Sequence, residues 1–319
     1  MKPALSLVIP VYNEEAHIAT SITTVRRILD AANISHQFIL VDDGSRDGTW
    51  AALQSLAITM TGIRAYKLSR NFGKEAALCA GLEQVDTDLA LVMDSDLQHP
   101  PELIPAMVAK MQEGYDVVEG IKSDRGHEGQ MYKLGARAFY SSFMRLTGFD
   151  LRDASDFKLM NRRVINAWRQ LPERDTFFRG MAAWVGFKRY AMPFQVARRV
   201  EGVSKWSPVK LSRLFISAIS SFSSLPLQII TILGAIFFFS SLLLAIWTLY
   251  MKFAGTALSG FTTVILLQLI IGSAIMFGLG TIGLYLARIY DEIKARPRYL
   301  IEQSAASTVS TPGTASPIF

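Results

Sequence analysis

Two uncharged apolar runs, Leu227–Met251 and about Phe261–Ala287, constrain this chain more than any other feature. Each exceeds the roughly 20 residues a helix needs to cross a bilayer. A short turn holding Lys252, Gly255 and Gly260 separates them. The pattern predicts a hairpin of two membrane helices, because backbone amides in hydrocarbon must be satisfied within the segment. Hydrophobic residues make up 50% of the chain, and the excess sits almost entirely beyond residue 225. Basic residues flank the outer limbs, with Lys205, Lys210 and Arg213 before the hairpin and Arg288, Lys294, Arg296 and Arg298 after it. The positive-inside rule then places both long ends in the cytoplasm, with Trp206 and the basic residues at headgroup level. Residues 206–226 read as an interfacial amphipathic helix, a soluble amphipathic helix being the alternative. The Ser/Thr/Ala/Pro-rich tail is expected to be disordered after about 303.

The first 120 residues follow a different rhythm. Leu5–Pro10, Gln37–Val41, Ile63–Lys67, Leu89–Met93 and Asp116–Glu119 read as strands. Glu15–Ala32, Gly48–Leu56, Lys74–Glu83 and Pro101–Gly114 read as helices. Alternation of this kind predicts an α/β fold with a doubly wound, mostly parallel sheet. Leu5–Val11 is too short for a secretory signal and runs straight into Asn13-Glu14-Glu15. The single cysteine, Cys79, excludes an internal disulfide framework or a cysteine-based zinc site and reads as a packed core thiol. A net charge of +6 without aromatic–basic interleaving gives no reason to expect nucleic acid as a partner.

Ligands of such sheets bind beyond the carboxyl ends of the strands. Three of these ends are acidic: Asn13-Glu14, Asp42-Asp43-Gly44-Ser45 and Asp94-Ser95-Asp96. Asp94 and Asp96 close an apolar strand one residue apart, so their side chains share a direction. Two carboxylates so placed call for a cation between them. Mg²⁺ or Mn²⁺ suits oxygen ligands together with substrate phosphates, and Gln98 could add a neutral oxygen. The alternative is a strand that simply ends in a polar turn. Residues 120–205 are polar and basic and read as the acceptor half of the same domain. Gly278-Leu-Gly280-Thr-Ile-Gly283 matches a dinucleotide-binding pattern, but it lies inside the second apolar run with no preceding strand. Small residues that let helices approach closely account for it better.

The runs Pro10-Val-Tyr12-Asn13-Glu14, Val41-Asp42-Asp43-Gly44-Ser45-Arg46-Asp47-Gly48-Thr49 and Asp94-Ser95-Asp96-Leu97-Gln98-His99-Pro100-Pro101-Glu102 resemble the inverting glycosyltransferases of the dolichol-phosphate-mannose synthase type. Ser69-Arg70-Asn71-Phe72-Gly73-Lys74-Glu75, Asp156-Phe-Lys158-Leu-Met160, Ser204-Lys205-Trp206 and Arg296-Pro-Arg298-Tyr299 look like the bacterial branch acting on undecaprenyl phosphate. The resemblance runs to about residue 303. It implies a Rossmann-like A-type glycosyltransferase fold over residues 1–205, two transmembrane helices over 227–288 and a cytoplasmic tail over 289–319. It further implies residence in a bacterial inner membrane, with the catalytic domain and both termini in the cytoplasm. The implied activity moves a sugar, glucose from UDP-glucose in the specific reading, onto a polyprenyl phosphate for O-antigen or cell-envelope glycans. Mannose, galactose and GlcNAc remain alternatives for the sugar. A processive polysaccharide synthase or a non-catalytic nucleotide-sugar scaffold would be different readings. The oligomeric state is open, a homo-oligomer included.

Roles follow from the strand ends and the resemblance together. Pro10, Tyr12, Glu14, Val41, Asp43, Asp94 and Ser95 are expected to contact the nucleotide sugar. Asp94, Asp96 and Gln98 are expected to hold the metal, with Asp96 also counted as catalytic. Asp156 matches the residue the family treats as its base, a helix cap being the alternative. Lys122, Lys133, Arg199 and Lys205 suit the acceptor phosphate or the donor diphosphate. This chain departs from the family in having Ser95 between the aspartates, where alanine is usual. It also has Lys158 where arginine is usual, and a lysine lacks the bidentate fork that would clamp a phosphate.

Overall fold

The computed structural model describes residues 4–122, 155–170, 178, 186–194, 225–254 and 260–307. They fall into two compact units, residues 1–205 with 297–319, and residues 206–296.

The first unit is built on β1 (Leu5–Val11), α1 (Ile18–Ala31), β2 (His36–Asp42), α2 (Thr49–Thr59), β3 (Ile63–Leu68), α3 (Lys74–Glu83) and β4 (Leu89–Val92). Strands β3, β2, β1 and β4 lie side by side and parallel. Every residue of β1 is buried, as expected for a strand with helices on both faces. The strand's period of two divides its side chains between two cores. Leu7 and Ile9 pack with Ile22 and Val25 of α1 and Leu53 of α2 on one face. Val8 packs on the other face with Val41 of β2 and with Ala77, Leu78 and Cys79 of α3. Helix α3 comes so close there that a Cβ on Gly81 would sit 2.4 Å from Val8 Cγ1.

Past β4 the parallel pattern ends. Helix α4 (Ile104–Gln112) leads to β5 (Val117–Lys122), which does not join β4. Strand β6 (Lys158–Asn161) inserts between them and runs antiparallel to both. It is followed at once by α5 (Arg162–Arg169), and the Asn161 side chain caps that helix by accepting from Val164 N at 3.1 Å. Strand β7 (Arg189–Phe194) pairs parallel to β5 at one edge of the eight-stranded sheet. Its Pro193 suits an edge, since proline cannot donate to a further strand. The expected parallel sheet is therefore the larger part of a mixed one.

The opposite edge corrects the reading of the tail. The segment expected to be disordered after about 303 continues as β8 (Ile301–Ala306), antiparallel to β3. Trp50 Nε1 donates to Gln303 Oε1 at 2.7 Å, and Gly62 N donates to Ser307 Oγ at 3.1 Å. The β3–β8 ladder satisfies backbone groups that the open edge of β3 would otherwise leave to solvent. Residues 301–307 thus belong with the first unit rather than apart from it. Residues 308–319 lie outside the described set.

The second unit contains α6 (Leu225–Phe253) and α7 (Phe261–Ile293). Ile230–Met251 and Ile270–Ala287 are long and apolar enough to cross a bilayer. Their apolar side chains, among them Phe239, Trp247, Phe277 and Ile282, are exposed, whereas a soluble protein's apolar helix would bury them. The hydroxyls of Thr231 and Thr281 donate back to the carbonyls of Leu227 and Phe277, which keeps them satisfied without water. Of the three glycines in the dinucleotide-like pattern, Gly278 serves helix packing, its Cβ position lying 3.3 Å from Ile230 Cγ2. The segment expected as an interfacial helix lies outside the described residues.

Candidate active site

The carboxyl ends of β1, β2 and β4 and the loop after β3 surround a cavity of about 420 Å³. Pro10, Tyr12, Glu14, Asp43, Asp94, Ser95 and Asp96 line it. Asn71, Gly73 and Lys74 line it as well.

The first two strand ends are tied together by their own motif residues. Asn13, at a φ of +54°, receives Arg46 N on its side-chain oxygen and gives its backbone N–H to Ser45 Oγ. Glu14 N donates to Thr49 Oγ1, and Gly48 N donates to Glu15 Oε2. Asp42 is wholly buried and accepts from Ser45 N at 2.8 Å. Much of the Asp-Asp-Gly-Ser-Arg-Asp-Gly-Thr run is therefore loop construction, which frees Tyr12, Glu14 and Asp43 to face the cavity. Helix α1 starts only at Ile18, so Glu14 precedes it. Burial first, and the charge of Asp96 second, hold the Glu14 carboxyl above its ordinary range.

Asp43 does more than offer a ligand oxygen. Its two oxygens accept from Phe72 N at 2.7 Å and Gly73 N at 2.9 Å, fixing the loop between β3 and α3. Gly73 takes a φ of +99° there, a conformation costly to any side chain. Burial raises the pKa of Asp43 and outweighs the lowering by these two amides.

The end of β4 is held by His99. Its Nδ1 accepts from Asp94 N at 3.4 Å, while its ring stacks on Phe157 with centroids 5.0 Å apart. Phe194 of β7 meets both rings edge-on. Asp96 Oδ1 accepts from Gln98 N at 3.1 Å, so Gln98 shapes the turn through its backbone. Its side chain is not among those that line the cavity.

Lys74 is a residue of the site that the motifs do not reveal. Its ammonium sits 2.6 Å from Asp94 Oδ1 and 2.7 Å from Asp156 Oδ2. Burial works against this charge, but the two carboxylates outweigh it and hold the lysine above its ordinary pKa. Lys74 is the first residue of α3, the end of a helix where a cation is disfavoured. A lysine in that position, at a strand's carboxyl end, was the available signal.

Asp156 is buried, and Asn161 rather than Asp156 caps α5. The cap alternative for Asp156 is thereby excluded. Two residues on, Lys158 is buried against Glu119 of β5, Nζ to Oε1 at 2.5 Å, and Arg189 of β7 binds the other oxygen at 2.6 Å. Lys158 is thus an internal ion-pair partner and no phosphate clamp. Val41 corrects another expectation: its side chain is buried in the core against α3, so it offers no side chain to the cavity. Lys133, Arg199 and Lys205 lie outside the described residues, as does the side chain of Lys122 at the end of β5.

Asp94 and Asp156 converge on one cationic nitrogen, and Asp96 lines the same cavity. Among the described residues no three acidic, histidine or cysteine side chains are gathered closely enough to hold a metal ion by themselves. The two converging carboxylates with Asp96 suit a hard divalent ion whose remaining oxygens come from a substrate diphosphate.

Comparison with known proteins accords with this geometry. Glycosyl transferase family 2 matches residues 6–167, and the chain belongs to that family and is a glycosyltransferase with an A-type mixed sheet. An uncharacterized glycosyltransferase of Synechocystis is 38% identical over 93% of this chain and 94% of its own length. A prophage-derived bactoprenol glucosyl transferase of Shigella flexneri is 34% identical over 94% of this chain and 98% of its own. Glucosyl-3-phosphoglycerate synthase of Mycobacterium tuberculosis, solved with Mn²⁺ and UDP-glucose, overlaps 69% of this chain and 77% of that one, at 22% identity and a TM-score of 0.45.

Proposed function

We propose that this chain transfers glucose from UDP-glucose to undecaprenyl phosphate at the cytoplasmic face of a bacterial inner membrane, anchored there by α6 and α7. The observation that supports it most is the convergence of Asp94, Asp96 and Asp156 beside Tyr12, Glu14 and Asp43 at one set of strand ends. The named relatives add the acceptor class, since several are bactoprenol glucosyl transferases alike over most of the chain. Two exposed apolar helices suit an enzyme whose acceptor is a membrane lipid.

In this reading Tyr12, Glu14 and Asp43 face the nucleoside, and Asp94 and Asp96 hold Mg²⁺ or Mn²⁺ with help from Asp156. A bound divalent ion supplies charge neutralisation for a departing diphosphate. An acceptor phosphate oxygen attacks the anomeric carbon as the bond to the UDP oxygen breaks, inverting the configuration and releasing UDP. A lipid phosphate is already largely ionised at neutral pH, with a second pKa of about 6 by analogy with phosphorylated side chains. Asp156 therefore takes at most the last proton from the acceptor, and otherwise orients it.

Purified protein given labelled UDP-glucose and undecaprenyl phosphate should form an organic-extractable glycolipid, and chelation should stop it. A donor panel with UDP-galactose, UDP-GlcNAc and GDP-mannose decides the sugar. Asp96→Ala should lose product by at least about a hundredfold with unchanged membrane insertion. Equal product from Asp96→Ala, or soluble sugar or polymer in place of glycolipid, would sink this reading.

A further inference from the structure

The Lys74 bridge has no part in the transfer just described. Asp94 and Asp156 come from different places, the end of β4 and the segment before β6. Because one nitrogen touches an oxygen of each at 2.6 and 2.7 Å, both oxygens lie within reach of a single small cation. Two carboxylates at such range repel unless a positive charge separates them, and in this structure a side chain provides it.

Resting on the metal reading above, we propose that Lys74 is a built-in placeholder for the divalent ion. It neutralises Asp94 and Asp156 before the donor arrives and gives up both when ion and diphosphate enter together. The ion alone has to displace an ammonium and leave it unpaired beside a second positive charge. Entering with a diphosphate, the ion brings an anion that the displaced ammonium can meet inside the same cavity, which Lys74 itself lines. Its side chain is about 41% exposed and carries a flexible four-carbon stem, so the movement needs no repacking. Metal and nucleotide binding are therefore coupled, each strengthening the other. Without the placeholder, free metal would occupy the carboxylates whether or not donor were present.

Mn²⁺ binding, followed by the electron paramagnetic resonance signal of the free ion, tests this on the full-length protein in detergent without acceptor. The parent should bind Mn²⁺ weakly alone and about tenfold more tightly with UDP. Lys74→Met and Lys74→Gln should bind Mn²⁺ alone about tenfold more tightly than the parent, and UDP should then add little. Thermal melts establish which variant is folded, and either one decides the matter. A folded variant that binds Mn²⁺ alone no better than the parent, yet still binds it with UDP, overturns the placeholder and leaves the metal reading intact. Failure of parent and variants alike to bind Mn²⁺ with UDP overturns both.

Discussion

Lys158 Nζ lies 2.5 Å from Glu119 Oε1, with both side chains sealed from water, two residues along the chain from Asp156. Glu119 Oε1 also accepts from Ser155 N at 3.3 Å, and its other oxygen holds Arg189. One buried carboxylate thus ties β5, β6, β7 and the segment carrying Asp156 together. Removing it strands a buried ammonium, whereas removing Arg189 leaves the inner pair intact. Glu119→Gln should therefore cost about 3–5 kcal/mol, and Arg189→Ala much less. Denaturant melts of the two variants check the order, and equal losses would contradict it.

The same cluster sets a pH dependence. Burial pushes the Glu119 pKa up, but Lys158 and Arg189 together outweigh it and hold it below the ordinary value. A depressed carboxylate contributes stability that is present above its unfolded pKa and lost as pH falls below it. Parent protein should therefore lose thermal stability between about pH 5 and more acid conditions. Glu119→Gln, already destabilised, should lose less over that window, and parallel melting curves for the two would contradict the assignment.

What the sequence revealed follows from how each part is stabilised. Strands β1 to β4 are apolar runs between clear helical segments, so their pattern is local. Strand β6 is four residues led by a lysine, and only its place between β4 and β5 makes it a strand. Strand β8, Ile301–Ala306, is mostly polar and exposed because it covers an edge rather than a core. The strand-end carboxylates were legible because like charges at one spacing need an explanation. Val41 was misread because it lies inside β2 rather than past its end, so its side chain fills the core against α3 instead of reaching the cavity. Lys74 was missed because its partners, Asp94 and Asp156, lie 20 and 82 residues away.

Gly44 and Gly73 should differ as sites of substitution. Both have positive φ, but a Cβ on Gly44 would lie 2.4 Å from the backbone carbon of Arg70, while one on Gly73 would meet nothing within 4 Å. Gly73→Ala carries backbone strain alone, about 1–3 kcal/mol. Gly44→Ala adds a backbone collision that pushes the Asn71–Lys74 loop away from Asp43. It should raise the donor KM more and melt lower than Gly73→Ala. Matching thermal and kinetic profiles would show that the loop does not rest on Gly44.

Gly120 supports the other half of the site. A Cβ there would fall 2.5 Å from Phe157 Cδ1 and 3.2 Å from Phe194 Cε1. Phe157 is buried beside Asp156 and stacked on His99, so it has little room to yield. Gly120→Ala should cost about 1–3 kcal/mol in stability. Displacing Asp156 slightly should cut kcat about tenfold, while donor KM, set by the loops after β1 and β2, changes little. A rise in donor KM with kcat unchanged would place the strain elsewhere.

Lys294, Arg296 and Arg298 follow the second apolar run, whereas the loop between the two runs carries only Lys252. Chain ends that are rich in basic residues stay in the cytoplasm, which is also where nucleotide sugars are made available to a transferase. β8 follows α7 directly and pairs with β3, so residue 304 reports the side occupied by the catalytic unit. Ser304 is exposed on that strand, and the single native cysteine, Cys79, is buried, so background labelling will be low. In intact cells a membrane-impermeant thiol reagent should modify Ser259→Cys at once and Ser304→Cys only after permeabilisation. The reverse pattern would put the acidic strand ends outside the cell, away from any UDP-sugar, and would overturn both the topology and the proposed reaction.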